Sequence, residues 1–263
     1  IAIGSLNTLI YIQDGRLVVH VESGELFSPA EVARGVSRVL GLFLGSEVWF
    51  DVGWIGSKDE EVSVVNGSEK AWSATCSGIL GSGRGCSQSF LKIFPGAMSL
   101  ATSQNTSYSD LFAYVDVVHA ARRRTVEEYV MACARAVEFA LKVAGDCGAV
   151  GIGAEDYEAI QKCIKKLELS SELVLQRLRG AISRMKSPSV ADKLVFLAKS
   201  GVLLAEAPGA FKDARHRIAH GDLCDSQSTY AMFGSAEILR DTFYRIVLYI
   251  IGYEGPMVCY GQK

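Results

Sequence analysis

The chain has no apolar run long enough to cross a bilayer. The longest near its C-terminus, Ile246–Ile251, is six residues, against the ~20 that a spanning helix needs, so no membrane span is predicted. Nor is there a C-x-x-C pair. Cys76, Cys86, Cys133, Cys147, Cys163, Cys224 and Cys259 are an odd set, which argues against a disulfide framework or zinc ribbon and for reduced, mostly buried thiols in a cytoplasmic setting. The opening IAIGSLNTLI lacks both a basic n-region and an initiator Met, so it matches neither a signal peptide nor a native start and is compatible with a longer parent chain. Asn66-Gly-Ser68 and Asn105-Thr-Ser107 fit the glycosylation sequon, but without a secretory signal they read as chance matches.

A general basic excess is also missing. Residues 107–263 hold 20 Lys+Arg against 19 Asp+Glu, and residues 1–106 hold 7 against 10. Broad, sequence-independent nucleic-acid binding is therefore disfavoured, whereas a local site for one structured RNA is not. Gly81-Ser-Gly-Arg-Gly85 lacks the G-K-[ST] of a P-loop and does not fit G-x-G-x-x-G, so it reads as a loop.

What is present is enough apolar residue, 49% of 263, to bury one large core or two modest ones. The expected fold class is α+β, with a mixed, β-rich N-terminal domain over residues 1–106 followed by an all-α bundle over 107–263. Ile10–Ile12 and Leu17–Val21 flank an Asp14-Gly15 turn, a hairpin signal. Ser28-Pro29-x-Glu31 opens a helix through Val32, Val36, Val39, Leu40 and Phe43. Strand-like runs follow at Glu47–Val52, Glu61–Val65 and Ala71–Cys76, and Ser77–Ser89 and Ser99–Ser109 read as a loop and a linker.

Beyond Leu111 the apolar period becomes helical. Thr125-Val-Glu-Glu128 has capping-box form, and Tyr129, Cys133, Val137, Ala140, Leu141 and Ala144 make one stripe before Gly145. Helices are expected over Glu155–Leu169, Ser171–Met185, Ser189–Lys199, Ala210–His220 and Ser228–Ile251. Short polar connections favour an antiparallel bundle.

Two of the four histidines fall in FKDARHRIAHGD, Phe211–Asp222, with four residues between Arg215 and His220. Were the substrate RNA, its own 2′-hydroxyl would serve as nucleophile, and cleavage without a metal would need only acid-base groups and a cation. Imidazole, with an unperturbed pKa of about 6.5, suits His220 to proton transfer. A planar guanidinium suits Arg215 to the phosphate oxygens that gain charge in the transition state. His216 fills the polar position after the arginine, and Lys212 and Arg217 add local positive charge for RNA. The two principal residues lie about 140° apart on an ideal helix, so convergence on one phosphate asks the helix to end or loosen near Gly221.

Arg215-His216-x-x-x-His220 resembles the R-x4-6-H signature of the HEPN superfamily, whose catalytic members are metal-independent ribonucleases. The order of a helix and strand in VARGVSRVLGLFLGSEVWF, then ARAVEFAL in a first long helix and RHRIAHG late, is similar to the ApeA-like branch. The resemblance implies a sensing or regulatory N-terminal domain and an endoribonuclease acting on RNA, tRNA among the candidates, leaving 2′,3′-cyclic phosphate and 5′-hydroxyl ends. It further implies a homodimer through the helical domain that faces two motifs together, no cofactor, and antiviral defence by abortive infection with an unknown viral trigger.

Rival readings stand beside this one. Cations at a helix C-terminus offset the macrodipole, so the motif fits a mere cap, and a non-catalytic HEPN module for dimerisation or nucleotide binding fits the same residues. His216 and His220 at i,i+4, with Asp222 and Cys224 near, have zinc-compatible spacing, though H-E-x-x-H is absent. Arg122-Arg123-Arg124 reads as a solvated face, and Glu138, where relatives often carry a glutamate near the site, fits equally a helix surface or a salt link. Trp49, Trp54 and Trp72 read as core.

Overall fold

A computed structural model describes the backbone of residues 2–3, 6–13, 16–23, 29–44, 51–52, 62–65, 84–101, 105–167, 171–220, 226–253 and 255, and side chains within 34–43, 92–101, 105–167, 171–216, 229–253 and 255. Five short strands, β1 (Ala2–Ile3), β2 (Leu6–Gln13), β3 (Arg16–Ser23), β4 (Asp51–Val52) and β5 (Val62–Val65), pair antiparallel in the order β1-β2-β3-β5-β4. Gln13 pairs with Arg16 across Asp14-Gly15.

The other described elements are helices: α1 (Pro29–Leu44), α2 (Arg84–Ala101), α3 (Thr106–Ala121), α4 (Val126–Val143), α5 (Ala154–Lys165), α6 (Glu172–Arg184), α7 (Val190–Lys199), α8 (Ala207–His220) and α9 (Ser226–Ile251). The expectation of a mixed, β-rich N-terminal domain is overturned. No strand occurs among the residues whose side chains are described, and the molecule is a helical bundle into which α1 and α2 are built. Their apolar positions explain this. Val36, Val39, Leu40 and Phe43 on α1, and Ile93, Phe94, Ala97 and Met98 on α2, recur at helical spacing and are buried in the same core as α3, α4 and α9. Arg38 on α1 pairs with Asp116 on α3 at 2.9 Å, while α2 packs on α1, α3 and α9.

The loop and linker expected at Ser77–Ser89 and Ser99–Ser109 are corrected where they are described. Residues 84–101 are α2, despite Pro95 inside it, and α3 begins at Thr106. Asn105 is its N-cap, its side chain accepting from the Ser107 amide at 3.0 Å, which supplies one of the four donors a helix start leaves open. The sequon at Asn105 is thus a capping sequence. The Ala71–Cys76 segment, Asn66–Ser68 and the three tryptophans lie outside the described residues.

α4 against α9 is the most extensive helix contact, with α3 on one flank of α4 and α8 packed on α9, α4 and α7. The predicted α4 stripe is the buried one: Tyr129, Cys133, Val137, Ala140 and Leu141 are all inside. Thr125 Oγ1 accepts from the Glu128 amide at 3.2 Å, and Gly145, at φ 74°, takes the left-handed conformation that closes many helices. Ser189 and Asp192 form a reciprocal capping box that starts α7. α5 and α6 pack mainly on one another, and each buries a single residue, Ile164 and Ile182.

Of the described cysteines, Cys133 is buried, Cys147 half-buried and Cys163 exposed, so mostly buried thiols do not hold for this set. Among the described residues no helix is long and apolar enough to cross a membrane.

Because α1 shares the bundle core, Leu42→Ala, at a fully buried position, should lower global stability by about 2–5 kcal/mol and shift one unfolding transition as a whole. Denaturant unfolding followed by far-UV circular dichroism and tryptophan fluorescence checks this; separate transitions, with only one shifted, would contradict the shared core.

Candidate active site on helix α8

α8 carries Pro208 in its first turn, where the missing amide hydrogen costs nothing. Ala207, Ala210, Phe211 and Ala214 turn inward, so the phase of the helix leaves Lys212, Arg215 and His216 exposed. Arg215 lies at the edge of that face beside α4. Its Nε is 3.4 Å from Glu138 Oε1, and its guanidinium carbon sits 5.9 Å from the centre of the Phe211 ring. The helix fixes the stem and the carboxylate fixes the head. The closest approach is through Nε, the stem side of the guanidinium, and the arginine side chain is 63% exposed, so the pair is solvated and weak, below about 1 kcal/mol.

The backbone of α8 is helical through His220. The positions of Arg215 and His220 are therefore about 140° apart around its axis, and Gly221, near which the helix was expected to end or loosen, lies just past the last residue of α8 and outside the described residues. The side chains of Arg217 and His220, and all of Gly221, Asp222 and Cys224, lie outside the described residues. Lys212 is on the same exposed side as His216. The structure brings Glu138 to Arg215, a partner the sequence did not name, although it held a place near the site open for Glu138 beside an ordinary surface or salt-link role.

A second polar cluster, which sequence reading missed, is buried between α3, α4 and α9. His119 Nε2 and the Tyr244 hydroxyl are 2.6 Å apart. Glu237 accepts from the Tyr129 hydroxyl at 2.7 Å and holds Arg240 at 2.8 Å and Arg122 at 3.6 Å. Asp241 and Arg245 pair at 3.0 Å. Burial, with the Arg240 charge adding to it, lowers the His119 pKa to about 3. Its Nδ1 is buried with no hydrogen-bond partner among the described residues, so a second proton would have neither an acceptor nor solvent. Burial likewise raises the pKa of Tyr129, Tyr244 and Cys133. These groups keep their protons; they hold helices together and are closed to substrate. The signal was in α9, where Arg240, Asp241, Thr242 and Arg245 interrupt an otherwise apolar run, and such charges must be buried and paired.

The Arg122–Arg124 run is not one solvated face. Arg122 reaches into the buried cluster, and Arg124 pairs with Glu128 at 3.9 Å across the exposed start of α4. Arg84 and Gly85 open α2, while the preceding residues of the glycine-rich segment are outside the described part. Among the described residues no group of three or more His, Cys, Asp or Glu is placed to hold a metal ion; the zinc-compatible set, His216, His220, Asp222 and Cys224, falls largely outside them.

No family model matches the chain, and no curated protein or solved structure matches it either.

The buried histidine makes stability pH-dependent in a defined direction. The folded pKa is below the unfolded value of 6.5, so between pH 6.5 and about 3 the unfolded chain binds the extra proton and stability falls as pH falls. The contribution is complete above that window. His119→Gln should remove up to about 1.4 kcal/mol per pH unit from the acid-side slope, read by urea unfolding at pH 7, 6, 5 and 4; an unchanged slope would show that His119 does not titrate this way.

Proposed function

We propose that this chain is a metal-independent endoribonuclease of the HEPN type, with Arg215 and His220 as its catalytic residues and His216 beside them. The observation that supports it best is the Glu138–Arg215 pair. Arg215 is exposed on the helix whose backbone carries His220, and a carboxylate from α4 holds it at 3.4 Å. A permanently charged group kept at the surface by one solvated contact is well suited to exchanging that carboxylate for a phosphate.

In the proposed reaction an imidazole accepts the 2′-hydroxyl proton as that oxygen attacks phosphorus. The guanidinium takes up charge on the equatorial oxygens, and an imidazolium returns a proton to the departing 5′-oxygen. The products are a 2′,3′-cyclic phosphate and a 5′-hydroxyl. Proton removal and donation occur on opposite sides of the phosphorus. The 140° of helix between Arg215 and His220 favours a homodimer in which each of two facing α8 helices supplies part of one centre. Lys212 and Arg217 bind RNA near it. RNA, with tRNA among the candidates, is the substrate; no cofactor takes part. A role in abortive antiviral defence rests on the resemblance alone.

His220→Ala should abolish cleavage of total tRNA in EDTA while leaving the melting temperature within about 2 °C, and Arg215→Lys should lose most activity because the planar fork is gone. Retained cleavage by a folded His220→Ala protein, scored by fragment-end analysis, would remove the assignment. Activity lost in EDTA and restored by zinc would favour the metal reading of His216 and His220.

Dilution supplies an independent check on the composite centre. Specific activity should fall below the dimer dissociation constant, with light scattering tracking the same transition; a monomer with concentration-independent specific activity would defeat the two-copy arrangement.

A further inference from the structure

We infer that the groove between α3 and α4 is a nucleotide subsite, taking one phosphate-bearing residue of the RNA strand next to the cleaved bond; this rests on the ribonuclease reading above. The groove has a volume of about 570 Å³, within the range that suits a small organic ligand. Its floor and walls are Tyr114, Val117, Met131 and small alanines, and its rim carries Arg124 and Arg135 against a single acid, Glu128.

Three observations favour a nucleotide over other occupants. The rim is net cationic by one, on a chain whose overall formal charge is −2, so this is a local concentration of positive charge. Arg124 is only loosely engaged by Glu128, at 3.9 Å with both side chains more than half exposed, so exchange for phosphate costs little. The walls combine exposed apolar surface, with Val117 47% exposed, and a phenol ring, which suits the face of a base more than an inorganic anion.

The groove and the candidate centre are neighbours along α4. Arg135 precedes Glu138 by three residues on α4, less than one turn of about 5.4 Å, and Glu138 is the residue that holds Arg215. Tyr114 packs its ring 5.0 Å from that of Phe139, the residue after Glu138. A strand with one phosphate at Arg215 therefore meets Arg135 at the adjacent position, and the groove receives the base.

The test uses the full chain and two probes: total tRNA for cleavage, and a short 2′-O-methyl RNA, which lacks the nucleophile, for binding by fluorescence anisotropy. Arg135→Glu, at an exposed position, should weaken oligonucleotide binding at least about tenfold and lower the slope of log affinity against log salt by about one. It should act on tRNA cleavage chiefly through KM. Val117→Asn should weaken binding without changing the salt slope, since it removes an apolar base contact and alters no charge. Unchanged binding and KM in both variants, alongside intact wild-type cleavage, would overturn the subsite and leave the ribonuclease. Variant-sensitive binding alongside no tRNA cleavage by the wild-type chain would do the reverse. Should Arg135→Glu alter only the oligomeric state, the groove is a protein contact and the subsite is wrong.

Discussion

α9 has no side facing water along most of its second half, and it carries Arg240, Asp241 and Arg245 there. Such charges destabilise a core by several kcal/mol unless each is paired. Glu237 answers this by serving Arg240, Arg122 and the Tyr129 hydroxyl together, and Asp241 by holding Arg245. A carboxylate shared among partners on α9, α4 and the end of α3 leaves those elements one register. α8 then packs on α9 and α4, so the position of Arg215 beside Glu138 is inherited from that clamp.

The protein thus uses the same residue types in two opposed ways. His119 is stripped of water, held neutral and given to Tyr244; His216 is exposed on α8. Arg240 is almost wholly buried, whereas Arg215 is mostly exposed with a single carboxylate near it. Reaction chemistry needs groups whose protons and partners exchange, and packing needs groups whose partners do not. The division runs along the helix surfaces: the inward sides of α3, α4 and α9 hold fixed charges, and the outward sides of α4 and α8 hold exchangeable ones.

Much of this was legible from periodicity. α4 was readable residue by residue because its apolar positions keep strict helical spacing between Thr125 and Gly145, and α7 and α9 were found within two residues of their ends. α2 was hidden because its start is rich in Ser and Gly and Pro95 interrupts it, although Ile93, Phe94, Ala97 and Met98 carried the helical signal. That omission, with the valine-rich segments nearby, is what made the N-terminal half look β-rich. The Arg215 motif was visible as a pattern, but its partner was not. Glu138 lies 77 positions away, and no local rule connects residues at that separation; only the packing of α8 on α4 does. The buried cluster is legible only in part: Glu237–Arg240 and Asp241–Arg245 are i,i+3 and i,i+4 pairs on α9 that spacing can find, whereas Tyr129 and Arg122 reach Glu237 only through packing.

The α5–α6 hairpin stands apart in cohesion. Each helix is 12 or 13 residues long and buries one side chain, and Leu173, Val174 and Met185 remain largely exposed. Helices of this length are marginal alone, so the hairpin opens at a free energy well below that of the bundle. Among the described helices its amides are therefore expected to exchange with solvent through local opening while those of α4 and α9 wait for global unfolding, and a protease or an inserted sequence would find it the easiest of them to enter.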